Sequence, residues 1–214
     1  MIKICRKLWL ALTFGCLLLL LAACNLGPIS INTGTTPTPT PTAKSAPTTV
    51  IPSPTAVAGM LTYTGNGYTI GYPKGWTVSK ESTGAVTFTD PQGVAYVTIQ
   101  VVPNPNGLIS TGDEVNAGLQ VFKSQAKNYT RVNIAPTTSV AGETWSQGAA
   151  TGDVTPTGAS SPVLAKIVVI SANHPANTSS TQGFTLGYVT AAQVFDMANT
   201  TYFQPMLQSF KFTS

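Results

Sequence analysis

Residues 35–42 read Thr-Thr-Pro-Thr-Pro-Thr-Pro-Thr, a run that neither a helix nor a sheet can absorb. Proline has no amide hydrogen to donate, and it steers the residue before it away from the right-handed helical region. Alternating Thr and Pro favours semi-rigid polyproline II, rising about 3.1 Å per residue. Pro52 and Pro54 carry the same character onward. The run therefore divides the chain. Residues 24–59 are expected to form a disordered Thr/Pro-rich linker, spanning at most roughly 100 Å. Residues 60–214 have a globular composition. At about 155 residues they suffice for one domain that buries roughly 70% of its unfolded surface. A proline-motif ligand or an O-glycosylated stalk is the other reading of the linker.

Ahead of the linker, Lys3, Arg6 and Lys7 precede an apolar run from Leu8 to Leu21, unbroken over Leu17–Leu21. A basic start followed by a short apolar stretch is the pattern of a secretory leader. A helix needs about 20 apolar residues to cross a bilayer. This run is shorter, and Asn25, Gly27 and Pro28 end it. Leu21-Ala22-Ala23-Cys24 resembles the bacterial lipobox, in which small residues admit the backbone to a peptidase cleft and the cysteine thiol accepts a diacylglycerol. The resemblance implies a lipoprotein signal peptide over residues 1–23, lipidation at Cys24, and a membrane reached through that lipid. Each buried methylene of such an anchor adds about 0.8 kcal/mol, so durable anchoring takes two or more chains. The location implied is extracytoplasmic, lipid-anchored to the cell membrane.

Removing the leader changes what the charge means. The whole chain carries Lys+Arg 11 against Asp+Glu 7. Three of those cations belong to the leader, so the remainder is nearly neutral and gives no reason to expect nucleic acid. Cys5 and Cys16 leave as well, and Cys24 is the lipid site. No thiol remains for a disulfide, a redox pair or a Cys-ligated metal. The domain is expected to stand on core packing alone.

Within residues 60–214 the pattern is mostly that of strands. Gly67–Tyr72 leads into a turn at Pro73-Lys74-Gly75, and Trp76-Thr77-Val78 resumes. Ala85–Asp90 alternates. Val94–Val102 alternates too, with Ala95, Val97, Ile99 and Val101 on one face. Pro91-Gln92-Gly93 is a hairpin turn between them. Ser110 or Thr111 caps a helix with Asp113 and Glu114 in its first turn, where the dipole favours anions. Val115, Leu119, Phe122 and Ala126 make its buried stripe. Further strands are expected over Thr130–Ala135, Glu143–Ala150, Val163–Ser171 and Gly183–Thr190. Val163–Ser171 is apolar almost throughout, which suggests a central strand. From Ala191 the chain is helical but interrupted at Pro205, where either a helix begins again, since its first position tolerates Pro, or one helix is kinked; Phe210 and Phe212 read as a short closing strand. Strands with two distant helical regions describe an α+β domain with a mostly antiparallel sheet.

The segment Gly67-Tyr68-Thr69-Ile70-Gly71-Tyr72-Pro73-Lys74-Gly75-Trp76 resembles the opening of PsbP-like domains, whose pattern is Tyr-x-apolar-x-Tyr-Pro-x-Gly-Trp. Met206-Leu207-Gln208-Ser209-Phe210-Lys211-Phe212 resembles their close. The resemblance covers about residues 60–214 and implies a central antiparallel sheet flanked by helices, an α-β-α sandwich. Photosynthetic members support a manganese–calcium cluster, and the wider family includes partner-binding proteins and bacterial lipoproteins. No docking motif matches residue by residue, so the fold carries over and no site does.

Residues able to do chemistry are sparse. His174 is the single histidine, and the nearest Asp in sequence is Asp153. His174-Pro175 reads as loop. The seven acids are scattered from Glu81 to Asp196 and offer no calcium-loop spacing. Asp113-Glu114 is adequately explained as a charge pair at a helix start. A carboxylate pair could arise only by tertiary assembly. The glycine-bearing segments match no phosphate or dinucleotide fingerprint. Tyr63, Tyr68, Tyr72, Trp76, Tyr96 and Trp145 either fill the core or line a binding face. Tyr68, Tyr72 and Trp76 are the candidate face. Ala149–Ser161 and Asn173–Gln182 are candidate surface loops.

The expectation is a membrane-tethered, non-enzymatic binding or accessory module with no cofactor and with an envelope protein as its partner. Two other readings stand beside it. One is a metal- or small-ligand-binding protein. The other is a hydrolase whose site gathers His174 with two distant carboxylates.

Overall fold

The computed structural model describes residues 59–156 and 159–213. The leader at 1–23, Cys24 and the linker up to residue 58 lie outside the described residues. None of the described helices is long and apolar enough to cross a membrane.

Two sheets form. The larger has eight strands: β3 (Thr77–Lys80), β4 (Val86–Thr89), β5 (Tyr96–Pro103), β6 (Lys127–Val132), β7 (Thr137–Val140), β8 (Glu143–Val154), β9 (Val163–His174) and β10 (Gln182–Ala191). Their spatial order is β3-β4-β5-β10-β9-β8-β6, with β7 also on β8, and every pairing is antiparallel. The smaller sheet joins β1 (Met60–Thr64), β2 (Tyr68–Pro73) and β11 (Lys211–Phe212) in the order β1-β2-β11. Helix α1 (Thr111–Gln125) covers one face of the large sheet. The small sheet and a C-terminal helical run cover the other. That run comprises a 3₁₀ turn, α2 (Phe195–Ala198), a π turn at Asn199–Phe203 and α3 (Gln204–Ser209).

The α+β class with a mostly antiparallel sheet is what the strand periodicity predicts. The sandwich differs from expectation in its third layer, which is half sheet and half helix. β2 was available to the large sheet but pairs with β1 and β11 instead, because its inward residues Tyr68 and Ile70 bury against Phe184 and Phe210 across the core.

β9 explains its own composition. Ile167 and Val169 pack beneath α1 with Val115, Leu119 and Phe122. Val168, Ile170 and Ala172 face the opposite core with Leu186, Phe203 and Met206. A strand buried on both faces reads as a continuous apolar run.

Two expectations change, and a third resolves between its alternatives. The polar stretch Ala149–Ser161 is not all loop, because β8 runs to Val154. Its small residues are there for clearance: a Cβ on Gly148 would lie 3.0 Å from both Leu119 Cδ1 and Val115 Cγ1. His174 ends β9 and is not a loop residue. Pro205 opens a new helical segment, the first of the two alternatives. It follows a π turn near the start of α3, where a missing amide hydrogen costs little.

Candidate functional site

The candidate aromatic face dissolves into the core. Tyr68 is 2% exposed and stacks on Phe210, ring centroids 5.5 Å apart. Trp76 is 5% exposed and lies 5.4 Å from the Tyr202 ring. Tyr72 is half-buried against Phe88. Neither Tyr68 nor Trp76 offers an open ring to a ligand, and burial pushes the Tyr68 hydroxyl pKa up. The physical reason is alternation: Tyr68 and Ile70 share the inward side of β2, and Trp76 caps that core from the turn that follows.

His174 finds one carboxylate. Its Nδ1–H donates to Glu143 Oε1 at 2.7 Å, and its ring stacks on Phe212 at 3.8 Å. Both side chains of the pair are about one-third exposed. Gathering His174 with two carboxylates would need a second acid here, and Glu143 alone is beside it. Among the described residues no three His, Cys, Asp or Glu side chains gather as a metal-binding group.

The most unusual arrangement lies on the opposite face of β9. Strand alternation puts Ser171 and Asn173 toward α1, and Ala172 and His174 away from it. Glu114 enters this interface. It is 3% exposed, accepts a hydrogen bond from Ser171 Oγ on Oε2, and leaves Oε1 buried without a hydrogen-bond partner. Gly183 makes the space, since a Cβ there would overlap Glu114 Oε1. Desolvation dominates the carboxyl and pushes its pKa up to about 7, against the opposing pull of the Ser171 and Thr185 hydroxyls. Glu114 is thus no solvent-facing partner of Asp113. The sequence held a signal for this, because Glu114, Gly118 and Phe122 recur at four-residue spacing alongside Val115 and Leu119.

A loop is fastened next to this acid. Asn104 is 2% exposed, its Nδ2 donates to Ile109 O and Asn173 Oδ1, and its Oδ1 accepts from Ile109 N. Asn173 Nδ2 donates to Ile109 O as well. Asn104 N donates to Thr181 O, and Asn106 N to Thr178 O, so loop 104–110 is laced to loop 175–181. Thr181 holds the second loop by donating to Pro175 O and accepting from Thr178 N. The two loops carry no charged residue. At their tip Leu108 is 72% exposed. The polar composition of Asn173–Gln182 marked the second loop, while nothing in the sequence pointed to Asn104 as the clasp of the first.

The loops lie away from where the chain enters the domain. Met60 pairs with Pro73 and Gly59 O accepts from Lys74 N, at one end of β2. Gly67, at the other end of β2, approaches Gln182 at the start of β10. Gln182 in turn pairs with Pro103 and His174, the strand ends from which both loops spring.

No protein-family model matches the chain, and no curated protein matches it. Among solved structures it is similar to LpqN of Mycobacterium tuberculosis, described as involved in cell envelope biogenesis. The similarity has a TM-score of 0.43 at 13% identity, over 69% of this chain and 83% of that one.

Proposed function

We propose that this chain is a lipoprotein of the cell envelope, anchored through Cys24 and lifted from the membrane by its Thr/Pro linker, whose PsbP-like domain is a non-enzymatic accessory module that binds an envelope protein. The observation that carries the reading is Leu21-Ala22-Ala23-Cys24 directly after an apolar leader and ahead of a Thr/Pro-rich stretch. Export, lipidation and a spacer make sense together for a domain that acts at a distance from a membrane. The contact surface we favour is the pair of laced loops 104–110 and 175–181. Their backbone is fixed in advance by Asn104 and Thr181, which lowers the ordering cost of binding. Leu108 supplies an apolar anchor at an otherwise uncharged tip.

Crosslinking and pull-down of the intact lipoprotein from its native membrane tests this, with Cys24→Ala and Leu108→Asp as controls. The expected result is one partner captured by the anchored chain, weakened by Leu108→Asp and lost with Cys24→Ala. Correct anchoring and folding with no captured protein would contradict the accessory role.

A further inference from the structure

On β5, β8, β9 and β10 the sheet face beneath α1 is uncharged; the one cation on that face, among the described residues, is Arg131 of β6. That face presents Gln100 and Val102 of β5, Ser146, Gly148 and Ala150 of β8, Ser171 and Asn173 of β9, and Gly183 and Thr185 of β10. The charged residues of those strands, Glu143, Asp153, Lys166 and His174, alternate onto the other face. Tyr96 shares the α1 side but is held at the far end of β5, where its hydroxyl donates to Gly93 O. From β6, Arg131 reaches toward α1 and donates to Asn116 Oδ1 at 3.0 Å. On α1 itself Asp113 is exposed and turned to Ser110, and Lys123 lies in the last turn. No cation is among the causes of the shifted titration of Glu114.

Closure at this point has a cost that depends on charge. An ionised carboxylate with one oxygen unpartnered in a dry interface is strongly disfavoured, whereas a neutral carboxyl with a hydroxyl on its other oxygen is tolerated. Glu114 sits four residues after Ser110, the cap of α1, and loop 104–110 runs straight into that cap. The loop's only side-chain bonds to the sheet, among the described residues, are those of Asn104 and Asn173, on the same strand as Ser171, and the first turn of α1 is tied to β8 by the Thr111 and Ser146 hydroxyls at 2.7 Å.

We propose that Glu114 is a proton-operated latch: its neutral carboxyl closes the first turn of α1 and loop 104–110 onto β9 and β10, and its ionisation loosens both. The open form binds protons as an ordinary glutamate does, so rising pH favours it and falling pH restores the closed form. The latch belongs to the folded domain and holds whether or not the chain is lipidated.

Hydrogen exchange of the full chain, read by mass spectrometry at pH 5 and pH 8 and corrected for intrinsic exchange, tests it. Amides of residues 104–116 are expected to lose protection by on the order of 10- to 100-fold at pH 8, as a closed-state pKa near 7 requires. Amides of Ile167–Ile170 should change far less. Glu114→Gln should hold residues 104–116 at one level across the range. A flat wild-type profile, or the same rise in Glu114→Gln, overturns the proposal. Should Glu114→Gln fail to fold, Ser171→Ala serves: it removes a hydrogen bond that favours the ionised form, so the midpoint of loosening should move to higher pH. An unmoved midpoint would overturn the proposal equally.

Discussion

A carboxyl that is 3% exposed keeps its proton longer than one in water, and that difference is a stability. Glu114 titrates near 7 in the fold against an ordinary 4.5. The folded state holds the proton more tightly, so this contribution is complete below about pH 4.5 and is lost as pH rises through about 7. The loss amounts to about 3 kcal/mol. Urea unfolding of Glu114→Gln should lack it, so the variant should gain on the wild type between pH 5 and pH 8. Parallel pH profiles for the two proteins would contradict the assignment. At this scale the sequence was only partly legible. A carboxylate in a first helical turn is ordinarily a surface residue, and Glu114 could be told from Asp113 only by its spacing to Gly118 and Phe122. Tyr68 and Trp76 show the converse, because an aromatic cluster reads alike whether it lines a groove or fills a core.

The elements followed local rules closely. The hairpin between β4 and β5 turns on Asp90, which is 3% exposed and accepts from Val94 N at 2.6 Å and Ala95 N at 2.9 Å on one oxygen. Asp90→Ala would leave the buried Ala95 amide and the half-buried Val94 amide without this acceptor and should cost about 1–3 kcal/mol, read as a lower urea midpoint. Asp90→Asn, which keeps a carbonyl acceptor, should recover part of it. Turn, cap and alternation were readable because each depends on neighbours a few residues away. β1 and β7 went unread, and β8 was cut short, for a common reason. Their Thr, Gly and small residues carry little hydrophobic signal, whether the strand is a short hairpin partner, as β1 is to β2 and β7 to β8, or is lengthened by packing from afar, as β8 is by β9 and α1.

The whole molecule is held by a contact that local patterns do not encode. β11 pairs Lys211 with Thr69 and Phe212 with Tyr68, so the last strand closes onto one of the first. Phe210 bridges the two sheets. It is 1% exposed, stacked on Tyr68 and edge-on to Trp145 at 5.4 Å. Phe210→Ala should cost about 3–5 kcal/mol, measurable as a drop in Tm with both sheets melting together. Periodicity tells which side of a strand is buried, but not that a short C-terminal strand completes a second sheet. At this scale too belongs the proposal that the domain is presented from a membrane by a lipid on Cys24. Intact mass and N-terminal peptide analysis of the chain isolated from its native membrane tests that claim most directly. The account predicts a protein that begins at Cys24 and carries a diacylglycerol on its thiol. A chain that retains residues before Cys24, or begins there with a free thiol, would contradict it.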